Sequence, residues 1–243
     1  MKDLYRQALG HMDGGRVLDV ATGGGKFVGT LGRSLQSYAQ IMGIDLSVRA
    51  LRDAQRAHPG QEIHFLRMDA GRLGFRDGSF DTACAAKSLH HWPDPPRILD
   101  EMVRVIKPRG RLVVSDMHRD VETEPQRTDM LIHHLGAEVH TFRGFTHNKT
   151  YSRLQIVALI EALEPCGLVC YDWYDTSSDP MEPEGIRKKE RILDRILNDA
   201  KGMPNYRSIE KRATVLRQRF SEMGMQSEPV LVVVAEWRGC RTV

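Results

Sequence analysis

The chain has 243 residues, a net charge of +3 and 41% hydrophobic residues, the balance of a soluble globular protein with room for one sizeable core. No apolar run approaches the roughly 18 residues needed to cross a bilayer, and the first fifteen residues carry no apolar leader core, so a cytoplasmic location is expected. Four cysteines, Cys84, Cys166, Cys170 and Cys240, are too few and too scattered for a disulfide scaffold; Cys166 and Cys170 have no second ligand pair at zinc spacing and read as buried thiols.

Apolar runs alternate with amphipathic stretches, the order of βα units in a parallel sheet. Strands are predicted near 16–20, 40–44, 62–66, 80–85 and 110–115, with helices near 25–36, 47–57 and 95–106. The third helix is bounded by Pro95 and Pro96 at its start and by Pro108 and Gly110 beyond its end. After Asp116 the pattern changes. Residues 117–150 are polar, contain five histidines and carry one short helical signal near 126–136. A helix at about 152–164 and a strand at 168–174 resume the α/β order. Residues 176–226 read as an inserted helical hairpin: Leu193, Ile196, Ala200 and Met203 recur at 3-4-3 spacing, and Tyr206, Ile209, Ala213, Leu216, Phe220 and Met223 continue it, with a turn at Gly202 to Asn205. Such seams belong to core packing. Val230 to Glu236 is the last strand, central or antiparallel at the sheet end.

The most telling segment is Val17-Leu18-Asp19-Val20-Ala21-Thr22-Gly23-Gly24-Gly25. A short apolar strand ends on a glycine turn that opens a helix, where backbone amides favour polar or anionic ligand groups. Asp45 ends the next strand, 20 residues after Gly25, the place where a ribose diol is usually gripped. Two phosphate-binding patterns fail: Val28 occupies the third glycine position of the dinucleotide fingerprint, and Phe27 stands where a P-loop needs Ser or Thr. The segment resembles the first motif of the class I S-adenosylmethionine (SAM)-dependent methyltransferases, V-L-D-x-G-x-G-x-G. It departs from that motif at Ala21, an alanine that quinone-biosynthesis C-methyltransferases also carry.

The resemblance covers about residues 16–116 and implies an α/β, Rossmann-like doubly wound fold. That fold has a seven-stranded, mostly parallel sheet with helices on both faces, here as one domain over 1–243 with 117–150 as a lid and 176–226 as a helical insertion. It implies SAM as methyl donor and S-adenosylhomocysteine as product. Gly23, Gly25 and Ala21 would let the loop approach the methionine part, and Asp19 would orient that part or its amine. Asp45 would accept the ribose hydroxyls, Leu46 would pack on the adenine, and Asp69 with the Ala70 amide would read its edge. Lys87, a further cofactor-binding candidate, opens the run Lys-Ser-Leu-His-His-Trp, close to the family's L-H-H run after the fourth strand. Where the acceptor holds a proton, His91, His90 and His118 are the candidate bases.

For the remaining histidines, His133, His134, His140 and His147, the spacing matches no strong metal-ligand motif. No metal is therefore assigned, although imidazoles with Asp129 or Glu138 would suit zinc or iron. The expected role of 117–150 is a lid facing the substrate, because only fifteen residues precede the first motif and leave little chain to cover the pocket. The expected acceptor is an O, C or N atom of a small molecule, and the chain is compatible with a homodimer. Two alternatives remain open. Between Ile186 and Arg219 eleven Lys/Arg face four acids, which would suit RNA methylation, although no N-P-P-Y-type motif follows the fourth strand. The chain could also bind SAM without transferring its methyl group.

Overall fold

The computed structural model describes residues 1–60 and 62–237; Cys240 lies outside them. They fall into two compact units, one of Met1–Asp116, Leu154–Trp173 and the segment from Leu231, the other of Met117–Arg153 and Tyr174–Val230.

The first unit opens with helix α1 (Lys2–Leu9), then strand β1 (Arg16–Val20), α2 (Lys26–Ser34), β2 (Gln40–Asp45), α3 (Val48–Ala57), β3 (Ile63–Arg67) and β4 (Phe80–Ala86). A short 3-10 turn (Leu89–His91) leads into α4 (Pro95–Val105) and β5 (Ile106–Met117). Later come α6 (Arg153–Glu161), β6 (Gly167–Trp173) and β7 (Val230–Glu236). The sheet order is β3-β2-β1-β4-β5-β7-β6. β1 pairs in parallel with β2 and with β4, and β4 with β5. The start of β5 bonds to the end of β7 (Arg109 N to Trp237 O, 2.7 Å), as does the residue before β6 (Cys166 N to Glu236 O, 2.8 Å). β7 therefore runs against both neighbours. Successive strands step outward in opposite directions from the central β1/β4 pair, so right-handed crossovers send α2 and α3 to one face and α4 to the other. The carboxyl ends of β1 and β4 thereby become a topological switch point, where open α/β sheets bind ligands.

Each helix boundary has a local cause. Ser47 caps α3 by accepting from Ala50 N at 3.2 Å, and Asp94 caps α4 by accepting from Arg97 N at 3.2 Å, with prolines in its first turn. Several features differ from the sequence-based expectation: the helix expected near 126–136 runs from Glu124 to Phe142, and Cys170 is half-buried rather than buried. The first fifteen residues include a helix, α1. β5 begins four residues early, because Ile106 pairs with Phe80 before Pro108, Arg109 and Gly110 bulge out and pairing resumes at Thr82 with Arg111. Cys166 is exposed rather than buried, since it leads into β6 at the edge of the sheet.

The second unit contains α5 (Glu124–Phe142), α7 (Pro183–Asp199) and α8 (Tyr206–Met223). Leu193, Ile196, Ala200, Met203, Ile209, Ala213, Leu216 and Phe220 pack with Ile132, Leu135 and Val139 of α5 into one core, as the heptad-like spacing predicts. Burial of such side chains contributes roughly 1.5–3 kcal/mol each. The turn between α7 and α8 uses Gly202 at φ 86°. The predicted lid helix and the hairpin thus share one hydrophobic core. Four basic residues of the hairpin are paired with carboxylates: Arg212 forms a bidentate pair with Glu138 at 2.8 Å, Arg219 meets Glu124 at 2.7 Å, Lys189 meets Asp129 and Arg217 meets Asp194. Part of the positive charge therefore ties α5, α7 and α8 together, while Arg187, Lys188, Arg191, Arg195, Lys201, Arg207 and Lys211 are exposed.

Candidate cofactor and methyl-transfer site

A cavity of about 940 Å³ lies at the carboxyl end of the first unit's sheet, within the size range of small-molecule and cofactor sites. Of the residues singled out from sequence, Ala21, Gly23, Asp45 and Leu46 line it on the β1/β2 side. Asp69, Ala70, Lys87 and His91 line it from the loops after β3 and β4.

The glycine loop is built by specific bonds. Thr22 N donates to Ile44 O at 2.9 Å, and Gly25 N to Thr22 O at 3.0 Å. Asp45 reaches across from β2: its Oδ2 accepts from Gly23 N at 2.9 Å, while Oδ1 accepts from Ser47 N at 2.8 Å. Two backbone donors therefore fix the carboxylate, and each oxygen keeps a lone pair for a further donor. Gly25 caps α2 at φ 78°, and a Cβ there would meet the His58 ring at 2.9 Å and Ala54 at 3.1 Å. The same His58 ring bonds Gly25 O through Nε2 at 2.8 Å. By contrast, a Cβ on Gly23 or Gly24 would meet nothing within 4 Å; the loop leaves an open cradle there.

Ala21 sits at φ 57° and Lys87 at φ 54°, in the left-handed region that L-residues avoid. Both line the cavity, the usual location of stored backbone strain. Ala21→Gly is expected to raise stability by about 0.5–1 kcal/mol, the left-handed penalty being partly offset by glycine's greater unfolded-state entropy. Denaturant unfolding measures this; a loss of stability would show that the Ala21 methyl contributes packing that outweighs the strain.

Asp19 lies beneath the loop and is not part of the cavity wall. It is 1% exposed, and its Oδ2 accepts from Thr22 Oγ1 at 2.6 Å. Burial pushes its carboxyl up to about 7, against the lowering effect of the Thr22 and Cys84 hydrogen bonds and with a smaller upward push from the Asp45 charge. Asp69 Oδ1 accepts from Gly71 N at 2.9 Å, and Arg97 Nε donates to Gly71 O at 3.1 Å, which holds the loop after β3.

The three candidate bases part company. His91 lines the cavity. His90 is buried, with Nδ1 3.2 Å from Asp116 Oδ1, while Asp116 Oδ2 accepts from Leu89 N at 2.9 Å. It ties the turn after β4 to the end of β5. His118 belongs to the second unit, fully buried, with its ring edge-on to Tyr174.

Several lining residues carry no sequence signal. Met1 and Tyr5 of the N-terminal segment reach the cavity, although the shortness of that segment argued against it; Tyr5 is held by its hydroxyl to Ser115 Oγ at 2.9 Å and stacks obliquely on Phe27. Trp92 and Ile98 add apolar wall, and Arg97 adds a cation.

Residues 18–114 match the methyltransferase domain family. The chain is 33% identical over 130 residues, 53% of this chain and 48% of the other, to phthiotriol/phenolphthiotriol dimycocerosates methyltransferase 1 of Mycobacterium ulcerans. It is 37% identical over 117 residues to the demethylmenaquinone methyltransferase of Renibacterium salmoninarum, 46% of each chain. The chain spans about half the length of these curated relatives. An S-adenosylmethionine-dependent methyltransferase structure from Mesorhizobium loti superposes with a TM-score of 0.56 at 18% identity, covering 96% of both chains, a likeness of fold. Among the described residues no helix is long and apolar enough to cross a membrane.

Proposed function

We propose, for a chain whose residues 18–114 match the methyltransferase domain family, that it transfers a methyl group from SAM to an oxygen or carbon atom of a small molecule. The observation that carries this reading is the open cradle at Gly23 and Gly24 beside the prefixed Asp45 carboxylate. SAM fits that cradle: the loop amides and Gly23 would hold its methionine part, Asp45 its ribose hydroxyls, and Leu46, Asp69 and Ala70 its adenine. The bound donor supplies a methyl group already activated on a sulfonium, ready for in-line displacement.

The protein then needs mainly to position. Orienting two reactants in line can contribute up to roughly 7–11 kcal/mol, and the rings of Tyr5, Phe27 and Trp92 in the cavity wall suit an apolar, ring-bearing acceptor and exclude water from it. The relatives named for demethylmenaquinone and for phthiotriol dimycocerosates make quinol-type and lipophilic alcohol acceptors the first to test. His91 is the base on this reading, taking the acceptor's proton on a ring nitrogen as the new bond forms.

Incubation with SAM and a panel of quinols, phenols and lipophilic alcohols, with S-adenosylhomocysteine release as readout, tests the activity. His91→Gln is expected to lower kcat about 100-fold while leaving SAM affinity within about threefold; an unchanged kcat would remove His91 as the base. Release of no S-adenosylhomocysteine with any acceptor, from protein that binds SAM, would favour a SAM-binding protein without transferase activity.

A further inference from the structure

The second unit holds a histidine array that is not among the residues assigned above to the cofactor or to the acceptor's proton. His133 and His140 lie two turns apart on α5, on one face of the helix, and the segment after the helix brings His147 back against them. His147 Nε2 stands 3.0 Å from His133 Nε2, and His147 Nδ1 stands 2.9 Å from His140 Nδ1. Behind His133, its Nδ1 lies 3.3 Å from the buried Glu228 carboxylate. The returning segment is pinned at several points: Thr141 Oγ1 donates to His147 O at 2.9 Å, Phe145 N to His140 O at 3.1 Å, and His134 Nε2 pairs with Thr150 Oγ1 at 2.9 Å. Position 147 is therefore built.

From this arrangement we infer that His133 Nε2 and His147 Nε2 form a binding site for a late first-row divalent metal ion such as zinc. Imidazole nitrogens suit zinc, nickel and copper. Two of them on one tetrahedral ion at about 2.0–2.1 Å lie roughly 3.3 Å apart, so the pair at 3.0 Å needs to open by only a few tenths of an ångström. Each ligand ring also has its other nitrogen held, His133 by Glu228 and His147 by His140. That is the outer shell metal-binding histidines use to fix their tautomer and raise their basicity. Both rings are only partly exposed, and neighbouring α5 side chains such as Ile132 and Val139 are buried in the helical core, so the pair is held on a rigid element. The two remaining positions of a four-coordinate ion take ligands from outside this pair. Sequence spacing concealed the site because its ligands join the middle of a helix to a loop 14 residues on, and no short motif spans them.

The test is titration of the metal-free full chain with Zn²⁺ in competition with a chromophoric chelator, with Co²⁺ absorption as a second signature. One ion per chain is expected. His147→Gln and His133→Gln should each weaken Zn²⁺ at least about 30-fold, and Glu228→Gln about 10-fold, within the range of outer-shell losses. His64→Gln and Cys166→Ser, both exposed in the first unit, should leave affinity unchanged. Because Glu228 is buried and its variant could disturb folding, the partly exposed His147 variant decides, with its metal-free melting compared with wild type. Zn²⁺ binding weaker than about 100 μM in the wild type, or wild-type affinity in His147→Gln, overturns the site and leaves a hydrogen-bonded imidazole array.

Discussion

Asp45→Ala is expected to weaken SAM about a hundred-fold, roughly 3 kcal/mol. Two effects combine. The ribose loses a charged acceptor whose two oxygens are already aimed by Gly23 N and Ser47 N, and the glycine loop loses the bond that ties Gly23 to β2. Asp45→Asn keeps one acceptor oxygen and should fall between alanine and wild type. Calorimetric affinity, with melting to confirm folding, measures this. Affinity unchanged in Asp45→Ala would take the residue out of the cofactor site and leave it as a loop tether.

Asp19→Asn is expected to change the pH dependence of stability more than any other single substitution in the loop. The carboxyl is raised from 3.8 to about 7 in the folded protein, chiefly by burial. Between those values the folded state holds a proton that the unfolded state has released, so stability falls as pH rises. The contribution is fully present below about pH 4 and lost once pH passes about 7. That interval corresponds to about 4 kcal/mol. Asparagine mimics the neutral acid and cannot ionise, so the variant should gain on wild type from pH 4 to pH 8, by an amount of that order at pH 8. Urea unfolding of both proteins across the range gives the difference, in which the other titrating groups cancel to first order. A difference independent of pH would mean that Asp19 is ionised throughout.

Local physics made the alternation of strands and helices legible over 16–116, because glycine turns, proline caps and helical periodicity all agree there. The hairpin seam was equally clear: Leu193 to Phe220 has to bury one stripe, and α5 supplies the partner. What stayed hidden depends on partners distant in the chain. The site role of α1 comes from Tyr5 reaching Ser115, 110 residues away. The early start of β5 depends on Phe80, and Pro108 and Gly110 disguise it as a loop. In the site, Asp45 and the glycine loop carry a pattern of spacing, whereas His58 under Gly25 and Arg97 on Gly71 are ordinary residues until the fold brings them there. The candidate bases show the same limit. Three histidines are candidates in sequence, and the structure separates them: His90 against Asp116, His118 in the second unit, His91 in the cavity wall.

On the proposed reading, the cradle at Gly23 and Gly24 holds SAM. A calorimetric titration of the full chain with S-adenosylhomocysteine and with SAM tests it most directly. One molecule of either bound per chain, weakened together by Asp45→Ala, is the expected result. Absence of binding by both, in protein that melts cooperatively, would contradict it.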